Sequence, residues 1–246
     1  MLRKAAYITT SWDDGHPLDM RLAELLSRYG LPGTFYTPLY NKGSILTPFE
    51  LRELSRSFEI GAHTVHHCDL ITVSNHVSKL EIEGCKSALE QITGRSCTSF
   101  CFPKGHFHRH HLSQVRNAGY RLARTVELMS FAAPRVQNGL ALMPTSLQAV
   151  PAGPLTFARN SLKRLQPMSL FRYTCNRKSD WAGTAEALLE RVILGGGVFH
   201  LWGHSWEIEE TNQWQNIERI FALLSKHKGQ AMYVDNSQLE KETRGE

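Results

Sequence analysis

Cysteine is scarce in this sequence, and no two cysteines form a C-x-x-C pair. The five residues are Cys68, Cys85, Cys97, Cys101 and Cys175. A secreted disulfide scaffold carries cysteine at a much higher density, so this usage favours a reducing compartment.

Long apolar runs are also lacking, because no stretch approaches the ~20 apolar residues that span a bilayer. Only MLRKAA precedes the first strand-like run. A secretory signal needs a basic start, an apolar stretch and a small-residue cleavage site before the folded part begins. We therefore expect a cytoplasmic protein without a membrane span.

Charge of one sign is not concentrated anywhere, because 28 Lys and Arg residues are scattered among 23 acidic residues, with a net charge of +5. Proteins that follow a phosphate backbone carry a basic block or basic residues interleaved with aromatics. No nucleic-acid partner is expected, whereas a small anionic substrate fits this charge. The sequence leaves the oligomeric state open.

Short β-rich runs alternate with amphipathic helical stretches, which is the pattern of a parallel α/β protein. The length and the apolar content of 41% suit one domain over residues 1–246. The predicted strands are 6–12, 33–38, 58–64, 99–105, 120–126, 170–175, 198–204 and 231–237. Helices are predicted near 18–29, 48–57, 74–93, 111–118, 180–194 and 212–227, and 130–168 is predicted to be an irregular excursion.

Residues that could perform chemistry follow four of these strands, at the ends where α/β sheets and barrels gather their sites. They are Asp13, Asp14, His63, His67, Lys104, His106 and His204. Such a grouping predicts one site at the C-terminal edge of the sheet.

The adjacent carboxylates of Asp13 and Asp14 repel each other where water is excluded, unless a cation lies nearby. His63 and His67 are an i, i+4 pair that can present two imidazoles to one ion on a helical turn. One carboxylate then completes a three-ligand set with open positions for water and substrate. The pattern predicts a divalent metal site in which one aspartate binds the ion and the other acts as a base beside the bound water.

Five motifs resemble those of the polysaccharide deacetylases, which are carbohydrate esterase family four with the NodB homology domain. TTSWDDG resembles the T-F-D-D-G motif, and HTVHH is similar to the H-[ST]-x-x-H motif. FCFPKG stands where the family has F-R-x-P-Y-G, and SDW resembles the aspartate-tryptophan motif. HLWGHS resembles the closing L-x-H motif, so the resemblance runs from Tyr7 to Leu239.

The resemblance implies a distorted, incomplete (β/α) barrel and a metal-dependent hydrolase that removes acetyl groups from N-acetylated sugars. It implies that Asp13 is the general base, that His204 is the general acid, and that Asp180 orients or charges that histidine. The implied ligands of one divalent ion are Asp14, His63 and His67. We expect zinc, with cobalt or nickel as alternatives.

Two positions depart from the family pattern, because Cys101 replaces an arginine and Lys104 replaces a tyrosine. A thiol cannot supply the lost positive charge, so Asp13 either has a higher pKa than usual or takes Lys104 or Arg124 as its partner. The backbone N–H near Lys104 is a candidate oxyanion donor. The residues predicted to contact substrate are Lys104, His106, Arg124, Trp206 and Glu207.

Several alternatives remain open from the sequence. The sugar could belong to a polysaccharide precursor, a nucleotide- or lipid-linked sugar, or a small natural product. A same-fold amidohydrolase could instead act on a non-sugar amide or a cyclic ureide, because a fold does not determine a substrate. The altered FCFPKG suggests a carbohydrate-binding domain with little or no turnover. His200 is a second candidate for the acid, although His204 lies at the strand end beside Gly203.

Overall fold

The computed structural model describes residues 5–151 and 180–244. The strands in these ranges are β1 (Ala6–Asp13), β2 (Thr34–Thr37), β3 (Glu59–Ala62), β4 (Ser99–Cys101), β5 (Leu122–Arg124), β6 (Arg135–Gln137), β7 (Leu140–Met143), β8 (Leu147–Gln148), β9 (Gly197–Gly203) and β10 (Met232–Tyr233). The helices are α1 (Asp19–Tyr29), α2 (Pro48–Leu54), α3 (Asn75–Thr93), α4 (Arg109–Asn117), α5 (Trp181–Gly195), α6 (Ser205–Glu210), α7 (Trp214–Lys226) and α8 (Asn236–Arg244). None of these helices is long and apolar enough to cross a membrane.

One curled sheet joins these strands in the order β6-β7-β5-β4-β3-β2-β1-β9-β8, and β10 pairs with β1. Among the described strands, only the β6–β7 pairing is antiparallel. Parallel neighbours place the C-terminal ends of β1, β3, β4, β5 and β9 at one edge. Within the described ranges β6 and β8 do not pair, so the sheet is an open, incomplete barrel and the predicted fold class is confirmed.

Local sequence signals account for the helix ends that lie near the site. Gly30 ends α1 with φ 59°, a left-handed conformation that glycine adopts without strain. Thr47 and Glu50 form a reciprocal capping box at the start of α2, where Pro48 takes the first helical position. Both devices shape the connections that carry the chain from β1 to β2 and on to β3.

The inner face of the curled sheet changes from apolar to polar toward the C-terminal edge. Side chains alternate along each strand, so every second residue of a strand lies on this face. In β1, Ile8 and Trp12 pack into the main core beneath the helices, whereas Tyr7 contacts a small separate cluster. The members of that cluster are Leu122, Ala141, Met143, Val198, Val234 and Leu239. Ser11 and Asp13 share the strand face of Tyr7 and lie nearer the edge where the predicted site residues meet.

The six predicted helices and seven of the eight predicted strands have counterparts in the described ranges, and the predicted strand 170–175 lies outside them. The predicted strand 231–237 is shorter than expected, because Asp235 accepts a hydrogen bond from the Gln238 backbone N–H at 2.7 Å and the chain turns into α8. The described part of the predicted excursion, residues 130–151, contains β6, β7 and β8, and pairing satisfies the backbone of the buried strand β7, while residues 152–168 lie outside the described ranges.

Candidate active site

A tight turn at the end of β1 presents the two aspartates. Asp13 is the last residue of the strand, and Asp14 follows in a left-handed conformation with φ 80°. The next residue must be glycine, because a Cβ on Gly15 would lie 2.5 Å from the Thr37 side chain. The turn therefore aims two neighbouring carboxylates at the C-terminal edge of the sheet.

The imidazoles of His63 and His67 lie against the carboxylate of Asp14. The Nε2 atoms of His67 and His63 are 3.1 Å and 3.6 Å from Asp14 Oδ1. His63 Nδ1 donates a hydrogen bond to the Cys101 carbonyl at 2.8 Å, which orients the ring so that its Nε2 faces Asp14.

The histidine pair does not lie on a helical turn as its spacing predicted. It lies in the loop after β3, where Thr64 and His67 have positive φ values of 66° and 49°. Two left-handed residues turn the chain so that the ring centroids of His63 and His67 are 4.8 Å apart. The pairing therefore depends on loop geometry rather than on helix periodicity.

The chemistry of these three groups fits a divalent cation. Asp14 Oδ1 is buried and accepts no hydrogen bond from the described residues, although two imidazole nitrogens face it. Burial alone would raise the pKa of Asp14, but His63 and His67 hold it far below its ordinary value. One carboxylate oxygen and two imidazole nitrogens, mutually within 4.8 Å, are a donor set that suits zinc.

A second group around His63 fits an ion less well. Asp13, His63 and Cys101 also have donor atoms within 4.8 Å of one another. Burial raises the pKa of the Cys101 thiol well above its ordinary value, which keeps it protonated and makes it a poor ligand. An Asp13 oxygen is moreover already paired with Arg124.

Arg124 is the charge partner of Asp13. Its guanidinium donates to Asp13 Oδ2, and the β4–β5 register places Arg124 directly opposite Cys101. The group is held between two rings, 4.6 Å from the Trp202 centroid and 5.5 Å from that of Tyr36. Burial alone would raise the pKa of Asp13, but Arg124 reverses the shift, and the pKa lies below its ordinary value.

Two predictions for Arg124 have different outcomes. The sequence left three alternatives open for Asp13: a pair with Lys104, a pair with Arg124, or a raised pKa. In the structure Asp13 pairs with Arg124 and its pKa is lowered. The structure does not place Arg124 where it could contact substrate, because its side chain is 0% exposed behind the Asp13 carboxylate. The neighbouring strand thus supplies the positive charge that Cys101 lacks.

His204 follows β9 and faces the aspartates from the opposite side. Its Nδ1 donates to Glu207 Oε2 at 3.0 Å, and its Nε2 lies 4.0 Å from Asp14 Oδ2. Burial alone would lower the pKa of His204, but the hydrogen bond to Glu207 and the charges of Asp13 and Asp14 raise it. His204 can therefore hold a proton beside the carboxylates.

Trp206 and Glu207 have partners inside the site. Trp206 Nε1 donates to Asp14 Oδ2 at 3.0 Å, which leaves the other Asp14 oxygen toward the two imidazoles. Glu207 Oε2 also accepts a hydrogen bond from Gln148 Nε2 at 2.9 Å, a contact that no sequence signal indicated. Their predicted substrate contacts stay predictions.

His200 is enclosed within the sheet. Its Nδ1 donates to the Pro144 carbonyl at 3.0 Å, so its Nε2 accepts from the Ser11 hydroxyl at 2.8 Å. Burial lowers the pKa of His200 to about 3, with Arg124 adding to the effect. His200 is therefore a neutral ring whose two nitrogens are both hydrogen-bonded, and it is poorly suited to the acid role. His204 is the other candidate for that role.

Asp180 does not perform the predicted role toward His204. Its side chain caps α5 by accepting from the Gly183 backbone N–H at 2.5 Å, and it lies 3.8 Å from Arg219. No hydrogen bond or ion pair joins it to His204 within the described ranges. The prediction is wrong because Glu207, one helical turn after His204, already occupies that position.

Lys104 and His106 lie on the loop after β4 and share one acidic partner. Asp69 Oδ2 accepts from His106 Nδ1 at 2.9 Å and lies 3.8 Å from Lys104 Nζ. Lys104 has φ 58°, and Gly105 packs so closely on Val126 that a Cβ would lie 2.0 Å from it. The loop is thus tightly defined, while contact of Lys104 and His106 with substrate stays a prediction.

Asp19 is a buried acid that sequence reasoning missed. Its Oδ1 accepts from the Ser205 hydroxyl at 2.5 Å, which ties the start of α1 to the residue after His204. Burial raises the pKa of Asp19 well above its ordinary value. A leucine-rich helix offers no signal for such a role, because the contact spans 186 positions.

Comparisons with known proteins bear on both the family resemblance and the fold. Residues 3–123 match the family model described as polysaccharide deacetylase. No curated protein sequence matches the chain.

Solved structures share the fold at low identity. A protein from Mycobacterium smegmatis predicted to be a polysaccharide deacetylase is 16% identical, with a TM-score of 0.69, covering 98% of this chain and 91% of its own. The chitin deacetylase from the fungal pathogen Colletotrichum lindemuthianum is 14% identical, with a TM-score of 0.62 and coverages of 96% and 88%. The Xyl-CE4 domain of a multidomain xylanase from the hindgut metagenome of Trinervitermes trinervoides is 16% identical, with a TM-score of 0.59 and coverages of 98% and 92%. The family match over residues 3–123 and the shared fold confirm the predicted resemblance to the polysaccharide deacetylase family.

Proposed function

We propose that this chain is a metal-dependent N-deacetylase that hydrolyses the acetamide group of an N-acetylated sugar. The observation that carries the proposal is the placement of His63 and His67 around one buried, unpartnered oxygen of Asp14. A second buried carboxylate, Asp13, lies beside it. The match of residues 3–123 to the polysaccharide deacetylase family model supports the sugar substrate.

Amide hydrolysis needs an activated water, a stabilised tetrahedral oxyanion and a proton for the leaving amine. Asp14, His63 and His67 would hold a divalent ion, which would supply Lewis acidity and lower the pKa of a bound water. Asp13, held ionised by Arg124, accepts the proton of the attacking water. His204, held protonated through Glu207, gives a proton to the leaving amine.

The alternative of a carbohydrate-binding domain with little or no turnover loses its main support. It arose because Cys101 cannot give Asp13 a positive charge, and Arg124 gives that charge from the neighbouring strand. The non-sugar amide alternative remains a distinct outcome of the substrate test.

We expect acetate release from an N-acetylated sugar that stops after chelation and returns with zinc, cobalt or nickel. Asp13→Asn should keep the metal and lose ~10²-fold or more in turnover, the usual scale for a lost general base. The measurements are acetate release over a panel of sugars, metal content and thermal unfolding. Release from non-sugar amides alone would contradict the sugar assignment, and loss of metal in Asp13→Asn would mean that the aspartate roles are reversed.

Glu207→Gln should move the basic limb of the kcat/KM profile to lower pH. The wild-type hydrogen bond raises the pKa of His204 above 6.5, so its acid form persists to a higher pH than in a free imidazole. In the variant the charge of Glu207 is lost, so the pKa of His204 is lower than in the wild type and the acid form is lost earlier as the pH rises. Glu210→Gln, an exposed change on the same helix, is the matched control. An unchanged limb in Glu207→Gln would rule out the pairing as the source of the acid form.

A further inference from the structure

A buried acid on α3, Glu81, lies against the loop that carries two of the candidate metal ligands. This ligand loop, residues 63–68, follows β3 and begins with His63. The Glu81 side chain is 10% exposed, and no Lys or Arg in the described ranges forms an ion pair with it. Because a buried carboxylate is costly unless it is well paired, the contacts of Glu81 indicate what it does.

Two hydrogen bonds join Glu81 to one residue of the ligand loop. Glu81 Oε2 accepts from the backbone N–H of His66 at 2.9 Å, and Oε1 accepts from His66 Nδ1 at 2.6 Å. Together the two bonds fix the peptide plane that precedes His66 and the orientation of its ring. His67 follows directly, so Glu81 anchors the chain one residue before a candidate ligand.

The backbone of the ligand loop is strained. Thr64 and His67 have positive φ values of 66° and 49°. A positive φ is unfavourable, above all for a β-branched residue such as Thr64, and strained residues persist only where surrounding contacts hold them. The two left-handed residues bring the rings of His63 and His67 within 4.8 Å of each other. The relative position of the two imidazoles therefore depends on the contacts that hold the loop.

The α3 helix approaches the ligand loop closely on the face that carries Glu81. Gly84 lies three residues later on the same face, and a Cβ there would lie 3.2 Å from the Val65 side chain. The Val65 carbonyl accepts from the backbone N–H groups of Leu39 and Tyr40 at 3.0 Å and 2.8 Å. Val65 is thus held between α3 and the segment after β2, and Glu81 holds the next residue.

We propose that Glu81 is a positioning residue for the metal site, because it holds the ligand loop in the conformation that turns His63 and His67 toward Asp14. The proposal rests on the metal-dependent function proposed above. Removing a group that hydrogen-bonds to a metal ligand lowers metal affinity or activity by about 10- to 100-fold. Glu81 acts through the backbone of the loop, so we expect the lower end of that range.

Glu81→Ala should raise the Kd of the metal-free protein for Zn²⁺ about tenfold, measured by competition with a chromogenic chelator. Glu81→Gln keeps the side-chain shape but offers one acceptor oxygen instead of two, so its Kd should lie between those of Glu81→Ala and the wild type. Glu83→Ala is the matched control on the same helix, because the Glu83 side chain is 43% exposed and lies 3.7 Å from Lys79. It should leave the Kd unchanged.

Amide hydrogen exchange in chelator reports on the ligand loop without any metal. The Cys68 backbone N–H donates to the Thr64 hydroxyl at 3.1 Å, a bond that lies within the loop and does not involve Glu81. In Glu81→Ala this N–H should exchange about 10- to 100-fold faster than in the wild type, the scale of a lost hydrogen bond to a charged group. The N–H groups of β9 should keep their exchange rates.

A Kd in Glu81→Ala equal to that of Glu83→Ala would overturn the proposal. Exchange that is faster by the same factor in β9 would also overturn it, because the whole fold and not the loop would then depend on Glu81. If Glu81→Ala does not fold, Glu81→Gln decides, and an unchanged Kd in that variant is the contrary result. If the wild type binds no Zn²⁺, the metal-dependent function fails, while exchange of the Cys68 N–H still decides whether Glu81 holds the loop.

Discussion

His63→Ala and His67→Ala should each abolish metal binding and acetate release together. Each substitution removes a nitrogen that faces Asp14 Oδ1, and the remaining two donors cannot form the three-ligand set. Removing a group that only hydrogen-bonds to a metal ligand lowers metal affinity or activity by about 10- to 100-fold. We expect a larger loss of activity when a ligand itself is removed. Metal content after gel filtration and acetate release are measured on the same samples.

The matched control is His76→Ala, because His76 is exposed on α3 away from these contacts. It should bind one ion per chain, as should the wild type. A His67→Ala protein that keeps stoichiometric metal would refute the assignment. If Cys101→Ser then loses the ion, the metal lies between Asp13, His63 and Cys101 instead.

Arg124→Met should destabilise the protein by about 3–5 kcal/mol, the scale for a buried ion pair that loses one partner. Methionine retains much of the packing between Tyr36 and Trp202 but leaves the buried Asp13 carboxylate without its counter-charge. Turnover should fall ~10²-fold, because a displaced base loses its alignment. Denaturant unfolding and acetate release measure the two effects.

Arg28→Met is the control, because Arg28 forms an exposed ion pair with Glu218 at 3.0 Å. Such pairs contribute about 0–1 kcal/mol, so the free energy of unfolding should hardly change. Equal effects in the two variants would contradict a special role for Arg124.

An arginine at position 101 on β4 should be able to replace the positive charge of Arg124 on β5. Cys101→Arg alone places a second guanidinium in a filled, buried position and should be destabilising. In the Arg124→Met background the same change should restore part of the lost stability and turnover, because positions 101 and 124 face each other in the register. Additive losses in the double variant would show that Cys101→Arg cannot supply the charge.

The stability loss in Arg124→Met should grow as the pH rises from about 4 to 7. In the wild type the lowered pKa of Asp13 contributes stability that is present above its unfolded value near 3.8 and is lost as the pH falls through the folded value. Without Arg124, burial raises that pKa, so ionising the carboxylate opposes folding as the pH rises. Denaturant unfolding curves of the wild type and Arg124→Met, measured with chelator between about pH 4 and 7, test whether the stability loss grows with pH.

The residues of the candidate site could be predicted because they belong to short contiguous motifs. Asp13 with Asp14, and His63 with His67, are each close in sequence and each follow a strand. The alternation of strands and helices likewise indicated the parallel sheet, because backbone geometry imposes those periods locally. The loop conformation of the histidine pair was not predictable, since it depends on positive φ values at Thr64 and His67.

Only the tertiary structure decided which distant groups act on the motif residues. Asp13 and Arg124 lie 111 positions apart, and the β4–β5 register alone brings the guanidinium opposite Cys101. Glu207 rather than Asp180 meets His204, because α6 begins directly after β9 while Asp180 is used to cap α5. The sequence by itself therefore determined the fold class and the motif residues, which are local properties. The charge state and orientation of those residues depend on long-range packing, because burial and neighbouring charges, rather than residue type, set each pKa.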